Sequence, residues 1–103
     1  MELKVIPWTK DTPPSEEQLQ QELEKQDLRV YRWSNGPGAV YEGHTHSFHK
    51  ILYVVEGNIK FDLPTHQQTF NLKPGDRLEL PSGIRHRAVV GPDGVTCLEA
   101  HIY

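Results

Sequence analysis

Cysteine is almost missing from this chain: Cys97 stands alone among 103 residues. A lone thiol closes no intrachain disulfide, which excludes the stapled scaffolds of small secreted domains. Nothing around Cys97 supports a reactive role. Long hydrophobic runs are missing too. The longest nearly apolar stretch, residues 51–55, is far short of the roughly 20 residues a spanning helix needs. The first residues lack the basic-then-apolar pattern of a secretory signal, so the expected location is the cytoplasm, with no membrane partner. Basic blocks are absent as well. Eleven Lys and Arg against 14 Asp and Glu give a formal net charge of -3, and no basic aromatic stripe offers a footprint for nucleic acid. No nucleophile–base pair, phosphate-cradling glycine loop or paired carboxylates stand out, which leaves hydrolase, kinase and glycosidase chemistry without support.

What is present is a chain of about one ordinary domain, 36% hydrophobic and 24% charged, which suits a folded globular protein rather than a disordered tail. Residues 1–27 are expected to form an N-terminal arm and one short helix. Thr12 is a candidate N-cap with Pro13 at the first helical position, and Ser15 with Gln18 offers an alternative capping box. Leu19 and Leu23 lie four apart among Glu, Gln and Lys, so the helix packs through a narrow stripe, as an appendage.

From residue 28 the rhythm changes to short runs rich in Val, Ile, Tyr and Phe. Turn residues separate them at Asn35-Gly36-Pro37-Gly38, Glu56-Gly57-Asn58, Pro74-Gly75-Asp76, Pro81-Ser82-Gly83 and Gly91-Pro92-Asp93-Gly94. This predicts strands over 28–34, 39–46, 50–56, 58–63, 67–72, 77–80, 86–90 and 96–103. The pattern is that of an all-β sandwich or barrel over residues 28–103, and no alternating helices suggest a parallel sheet.

Histidine is where chemistry concentrates. His44 and His46 are one residue apart in a strand-like segment, so both imidazoles project from one sheet face and can share an ion. Imidazole nitrogen binds divalent metals at roughly 2.0 to 2.1 Å, and a third ligand must come from another strand. His86 is the best candidate. Taken alone, a His-x-His pair in a strand is more often surface or core than ligand.

The surrounding residues shift that balance. Gly38 is followed by five residues, then His44, Thr45, His46, three residues to Lys50 and six more to Gly57; Gly75 leads by five to Pro81, then Gly83, His86 and Val90. This resembles the cupin superfamily, whose two motifs read G-x5-H-x-H-x3-4-E-x6-G and G-x5-P-x-G-x2-H-x3-N. The 17 residues between Gly57 and Gly75 are similar to the spacer of small single-domain members. The resemblance spans residues 38–90 and implies an antiparallel, jelly-roll-like cupin β-barrel. It also implies a pocket in which His44, His46 and His86 hold one divalent transition metal, whether Fe, Zn, Mn, Ni or Cu. Glycines have a physical reason here, since strand reversals at Gly57 and Gly75 favour positive φ, and Pro81-Ser82-Gly83 makes the bend that returns His86 to the pocket.

Two positions depart from the pattern. Lys50 falls where the family usually has a glutamate ligand, and Val90 falls on the usual asparagine. An ammonium does not coordinate, so Lys50 must turn away, pair with an acid, become neutral or contact an anionic ligand. Three neutral imidazoles leave a bound metal its full dipositive charge, which favours anionic or chelating ligands. Glu42 shares the parity of His44 and His46 and either pairs with Lys50, offers a distant carboxylate or faces solvent at the rim. His49, next to Lys50, offers a replacement for the missing ligand, but strand alternation aims it the other way, which favours an exposed His49, and His66 reads as a solvated hairpin residue. In the last strand Leu98, Ala100 and Ile102 share one face and Cys97, Glu99 and His101 the other, so His101 faces either a partner or the barrel mouth, in an interface or surface role rather than a catalytic one. Phe61, Leu63, Phe70, Leu72, Leu78 and Leu80 read as packing, as do Trp8 and Trp33.

Two kinds of function follow. One is an enzyme of dioxygenase or isomerase type, in which the metal meets a small anionic or enolisable substrate and Lys50 orients it or moves a proton as the catalytic residue. The other is a non-catalytic small-molecule-binding or sensing module, with the pocket holding metal or free of it, since fold resemblance does not choose between them. A homodimer is expected, because a short chain with open sheet edges gains core from pairing.

Overall fold

In the computed structural model, which describes residues 1–103, the elements are β1 (Lys4–Ile6), α1 (Glu16–Glu24), β2 (Tyr31–Asn35), β3 (Val40–His44), β4 (His49–Leu63), β5 (Gln68–Leu72), β6 (Arg77–Leu80) and β7 (His86–Ile102). Every strand pairing is antiparallel. β4 and β7 are long and pair along their whole length, and each divides its partners between its two halves. The first half of β4 lies between β6 and the second half of β7, flanked outward by β1 and β2; the second half of β4 lies between β5 and the first half of β7, with β3 beyond. Hydrogen bonding does not run round a closed ring. The jelly-roll form arises because the two halves fold onto each other.

The fold-over happens where turns were expected. Residues 56–58 and 91–94 do not reverse the chain; they are irregularities inside continuous strands, with register shifts between Val54 and Glu56 and between Gly57 and Ile59. Such bulges bend a strand and sharpen its twist. Gly57 adopts φ +75, and a Cβ there would sit 1.9 Å from the Gly94 carbonyl oxygen, so the two strands cross at a spacing only glycine permits. The bulges also preserve the inward face: Lys50, Leu52 and Val54 point inward before them, and Ile59, Phe61 and Leu63 after. These aliphatic and aromatic side chains join Leu72, Leu78, Leu80, Ala88, Val90, Val95 and Cys97 in one core between the halves.

The opposite face of the first half is also covered. Ile51, Tyr53, Leu98 and Ala100 pack against Leu19 and Leu23 of α1, both at most 1% exposed. The helix is therefore the lid of a second core rather than an appendage. Its N-cap is Ser15, not Thr12: the Ser15 hydroxyl accepts from Gln18 N–H at 3.1 Å and the Gln18 side chain accepts from Ser15 N–H at 3.0 Å. Thr12 instead offers its carbonyl to Trp8 Nε1 at 2.9 Å. The N-terminal arm also contributes β1, which the sequence reading missed. It is fastened by the buried Asp76 carboxylate, which accepts from Trp8 N–H and Lys73 N–H, each at 3.0 Å. No helix is long and apolar enough to cross a membrane.

Candidate functional site

His44 is the Cα partner of His86 across β3 and β7, which sets the first two imidazoles opposite one another. β3 ends at His44, so His46 lies just beyond the strand rather than within it. Its position is held by the following bend, where Gly83 N–H donates to the His46 carbonyl at 2.8 Å. The Pro81-Ser82-Gly83 bend thus fixes His46 on one side and launches His86 on the other.

Tautomers follow from the backbone. His44 Nδ1–H donates to the Glu42 carbonyl at 2.6 Å, and His86 Nδ1–H donates to the Ile84 carbonyl at 2.9 Å. Each ring therefore turns an unprotonated Nε2 toward the other rings. The Nε2 atoms of His44 and His46 are 3.1 Å apart, a separation that calls for a proton or a cation between the lone pairs. His86 Nε2 is fully buried and has no hydrogen-bond partner. A buried, unpartnered acceptor costs about 1 to 3 kcal/mol, so it is unusual unless something else engages it. One ligand nitrogen from each of the three rings lies within 4.8 Å of the others, and the group could hold a metal ion.

The environment keeps His46 and His86 neutral. Burial, then the Lys50 ammonium and the neighbouring imidazoles, push His46 down to about 4. Burial also lowers His86, with Lys50 and His44 adding to it against the hydrogen bond to Ile84. Neutral imidazole is the metal-binding form.

The rings open into a cavity of about 390 Å³, with apolar walls from Trp33, Tyr41, Ile59, Phe61 and Ala88 and with Lys50 and Glu99 at its side. A larger groove of about 630 Å³ between α1 and the β1 edge contains no comparable convergence of ligating atoms. Lys50 projects inward, as strand parity requires, and its Nζ lies 3.5 Å from Glu99 Oε1. Glu99 Oε1 also accepts from Trp33 Nε1 at 3.1 Å, while Oε2 pairs with His101 Nε2 at 2.5 Å. Burial alone would raise the Glu99 carboxyl; the Lys50 charge, His101 and Trp33 outweigh it and hold it below the usual carboxylate range.

Several expectations change here. Lys50 takes its acid from Glu99 of β7, not from Glu42, whose side chain is exposed. His101 faces Glu99 and stacks on Phe48, with ring centroids 4.1 Å apart, so it backs the Glu99 carboxylate without lining the cavity itself. Phe48 in turn stacks on His46 at 4.7 Å. Trp33 is a wall of the cavity and a hydrogen-bond donor as well as a packing residue. His49 does point away: its Nδ1 accepts from Ser82 N–H at 3.0 Å. His66 is exposed in a 3-10 turn over Pro64–His66. The parity of Cys97, Glu99 and His101 was the one available signal for Glu99.

Comparison with known proteins agrees with this geometry. The cupin domain family model matches residues 31–98. No curated protein matches the sequence. Among solved structures, KdgF from Halomonas sp. is similar at 28% identity and TM-score 0.62, over 74% of this chain and 69% of that one. The polyketide cyclase RemF from Streptomyces resistomycificus is 26% identical with TM-score 0.64, over 72% and 54% of the two chains. The DMSP lyase DddQ from Ruegeria pomeroyi is 25% identical with TM-score 0.67, over 74% of this chain but 38% of its own. The chain therefore spans about half of the cyclase and less of the lyase. With the family match covering well over half of its residues and the jelly-roll fold around a histidine-lined cavity, this chain belongs to the cupin domain family.

Proposed function

We propose that this protein is a metal-dependent cupin in which His44, His46 and His86 hold one divalent transition metal facing a small anionic or enolisable ligand. The observation that carries this reading is the buried His86 Nε2, left without a partner and aimed at two further imidazoles. A bound metal would supply Lewis-acid polarisation of a carbonyl or carboxylate, or a site for dioxygen. The chain's own groups do the rest. Glu42 and Ile84 carbonyls fix the ring orientations, Trp33, Tyr41 and Phe61 exclude water, and Lys50 pairs with the anionic group of the ligand and orients it. The similar lyase and cyclase structures, both enzymes by name, support catalysis on a small organic substrate in a cavity of this kind.

One observation favours a second reading, non-catalytic ligand binding. Lys50 is ion-paired with Glu99, so the cavity presents no free base outside the imidazoles. Retention of an unaltered small acid by the metal-loaded protein would select it. Open edges at β1 and β2, with Tyr31 and Val40 exposed, support a homodimer, which sedimentation would test.

The test is metal analysis of protein purified without a histidine tag. The expected result is near-stoichiometric divalent metal in the wild type, at least about tenfold weaker binding in His86→Ala, and tighter binding in Lys50→Glu, which restores a carboxylate ligand. Substoichiometric metal that His86→Ala leaves unchanged would overturn the proposal.

A further inference from the structure

The polar side of the cavity is built from one cation and one anion, and their surroundings differ. Lys50 Nζ carries three donors, yet its single charged contact is the 3.5 Å approach to Glu99, and no hydrogen bond holds it. Its side chain is only 11% exposed, so the remaining donors face the cavity it lines. Glu99 is the opposite case. Trp33 Nε1 grips one carboxylate oxygen and His101 Nε2 the other, and His101 is itself wedged between Phe48 and Tyr31, with ring centroids 4.1 and 5.2 Å away. Glu99 cannot swing out of the way. A fixed negative charge therefore stands beside the one cation able to receive an anionic ligand.

We propose that Glu99 is a specificity-determining residue that makes the cavity favour a small ligand with one carboxylate over an isosteric dicarboxylate. The inference rests on the reading above only in taking this cavity as the ligand site. A single carboxylate can take the free donors of Lys50 while its apolar part packs on Ile59, Phe61 and Ala88. A second carboxylate in the same small space gains no further cation from the side chains and is repelled by Glu99, across apolar walls that screen charge poorly. Glu99 thus also positions Lys50, without which neither acid is held.

Levulinate and succinate make the test, because an acetyl group in one replaces a carboxylate in the other. Each is titrated by calorimetry at pH 7.5 into metal-free and zinc-loaded protein. Metal-free wild type is expected to bind levulinate about fivefold or more tighter than succinate, and Glu99→Gln, which keeps the size of the side chain and an acceptor oxygen for Trp33 while its amide donates to the other tautomer of His101, to move the succinate-to-levulinate affinity ratio toward succinate by about tenfold in both forms. Should circular dichroism show Glu99→Gln unfolded, Lys50→Gln/Glu99→Gln strands no charge and carries the same test, with weak and equal binding of both acids expected. A ratio unchanged within about twofold in Glu99→Gln, a persistent preference in the double variant, or no binding of either acid to wild type would overturn the inference. A separate zinc titration keeps the two readings apart: absent zinc binding with the preference intact removes the metal centre alone, and normal zinc binding without the preference removes this inference alone.

Discussion

Lys50 of β4 and Glu99 of β7 form an ion pair inside the barrel, 3.5 Å apart, with side chains 11% and 13% exposed. They are diagonal neighbours on one sheet face, since Lys50 opposes His101 and Leu52 opposes Glu99. The cation of one strand is thus answered by an acid from the neighbouring strand.

Removing one partner of a buried pair is costly because it strands the other. Lys50→Met is expected to lower unfolding stability by about 3 kcal/mol, and Lys50→Met/Glu99→Gln to recover most of it. Urea denaturation of the three proteins checks this. A double variant no more stable than Lys50→Met would show that the pair is not the unit.

Acid should destabilise the metal-free protein in two stages. His46 titrates at about 4 in the fold against an ordinary value of 6.5, so between those pH values the unfolded chain takes up a proton that the folded chain refuses, and stability falls as pH falls. His86, also lowered, acts in the same direction. The depressed Glu99 carboxyl contributes stability above its ordinary value of 4.5 that is lost as pH drops through its folded value. Urea midpoints measured from pH 8 to 3 should begin to decline near 6.5 and decline again below 4.5, with a shallower first stage in His46→Gln. A flat profile down to pH 5 would contradict the assigned protonation states.

Gly57 at the β4 bulge and Gly83 in the open turn should separate clearly. Gly57→Ala forces a Cβ to within 1.9 Å of the Gly94 carbonyl, whereas Gly83, also at positive φ, has open space around it. Gly83→Ala is expected to cost about 1 kcal/mol from the backbone alone. Gly57→Ala is expected to cost about 3 kcal/mol or more, because backbone must also move. Thermal denaturation ranks them, and equal losses would mean that the close crossing of β4 and β7 is not a constraint.

How far these features could be read in the sequence depends on the range of the interactions that make them. His44, His46 and His86, with the glycines and Pro81 that aim them, carry local geometry and were legible from spacing. Gly57 announced a positive φ, but a bulge within a strand and a turn between strands use the same residue, so β4 and β7 each read as two strands. Glu99 was hidden for another reason. Both faces of its strand are buried, Leu98 and Ala100 under α1 and Cys97 under the barrel core, so alternation showed which residues share a face but not which face holds the cavity. The pairing with Lys50 joins positions far apart in the chain, and only the register of β4 on β7 brings them together. β1 escaped notice because three residues at a sheet edge carry too little alternation to read.

The central claim is that three imidazoles converge on one metal. Its most direct test is a crystal of tag-free protein grown with zinc and measured at the zinc absorption edge. A single anomalous peak is expected at roughly 2.0 to 2.1 Å from the Nε2 atoms of His44, His46 and His86. No peak there, or zinc bound only at His49, His66 or His101, would contradict the account.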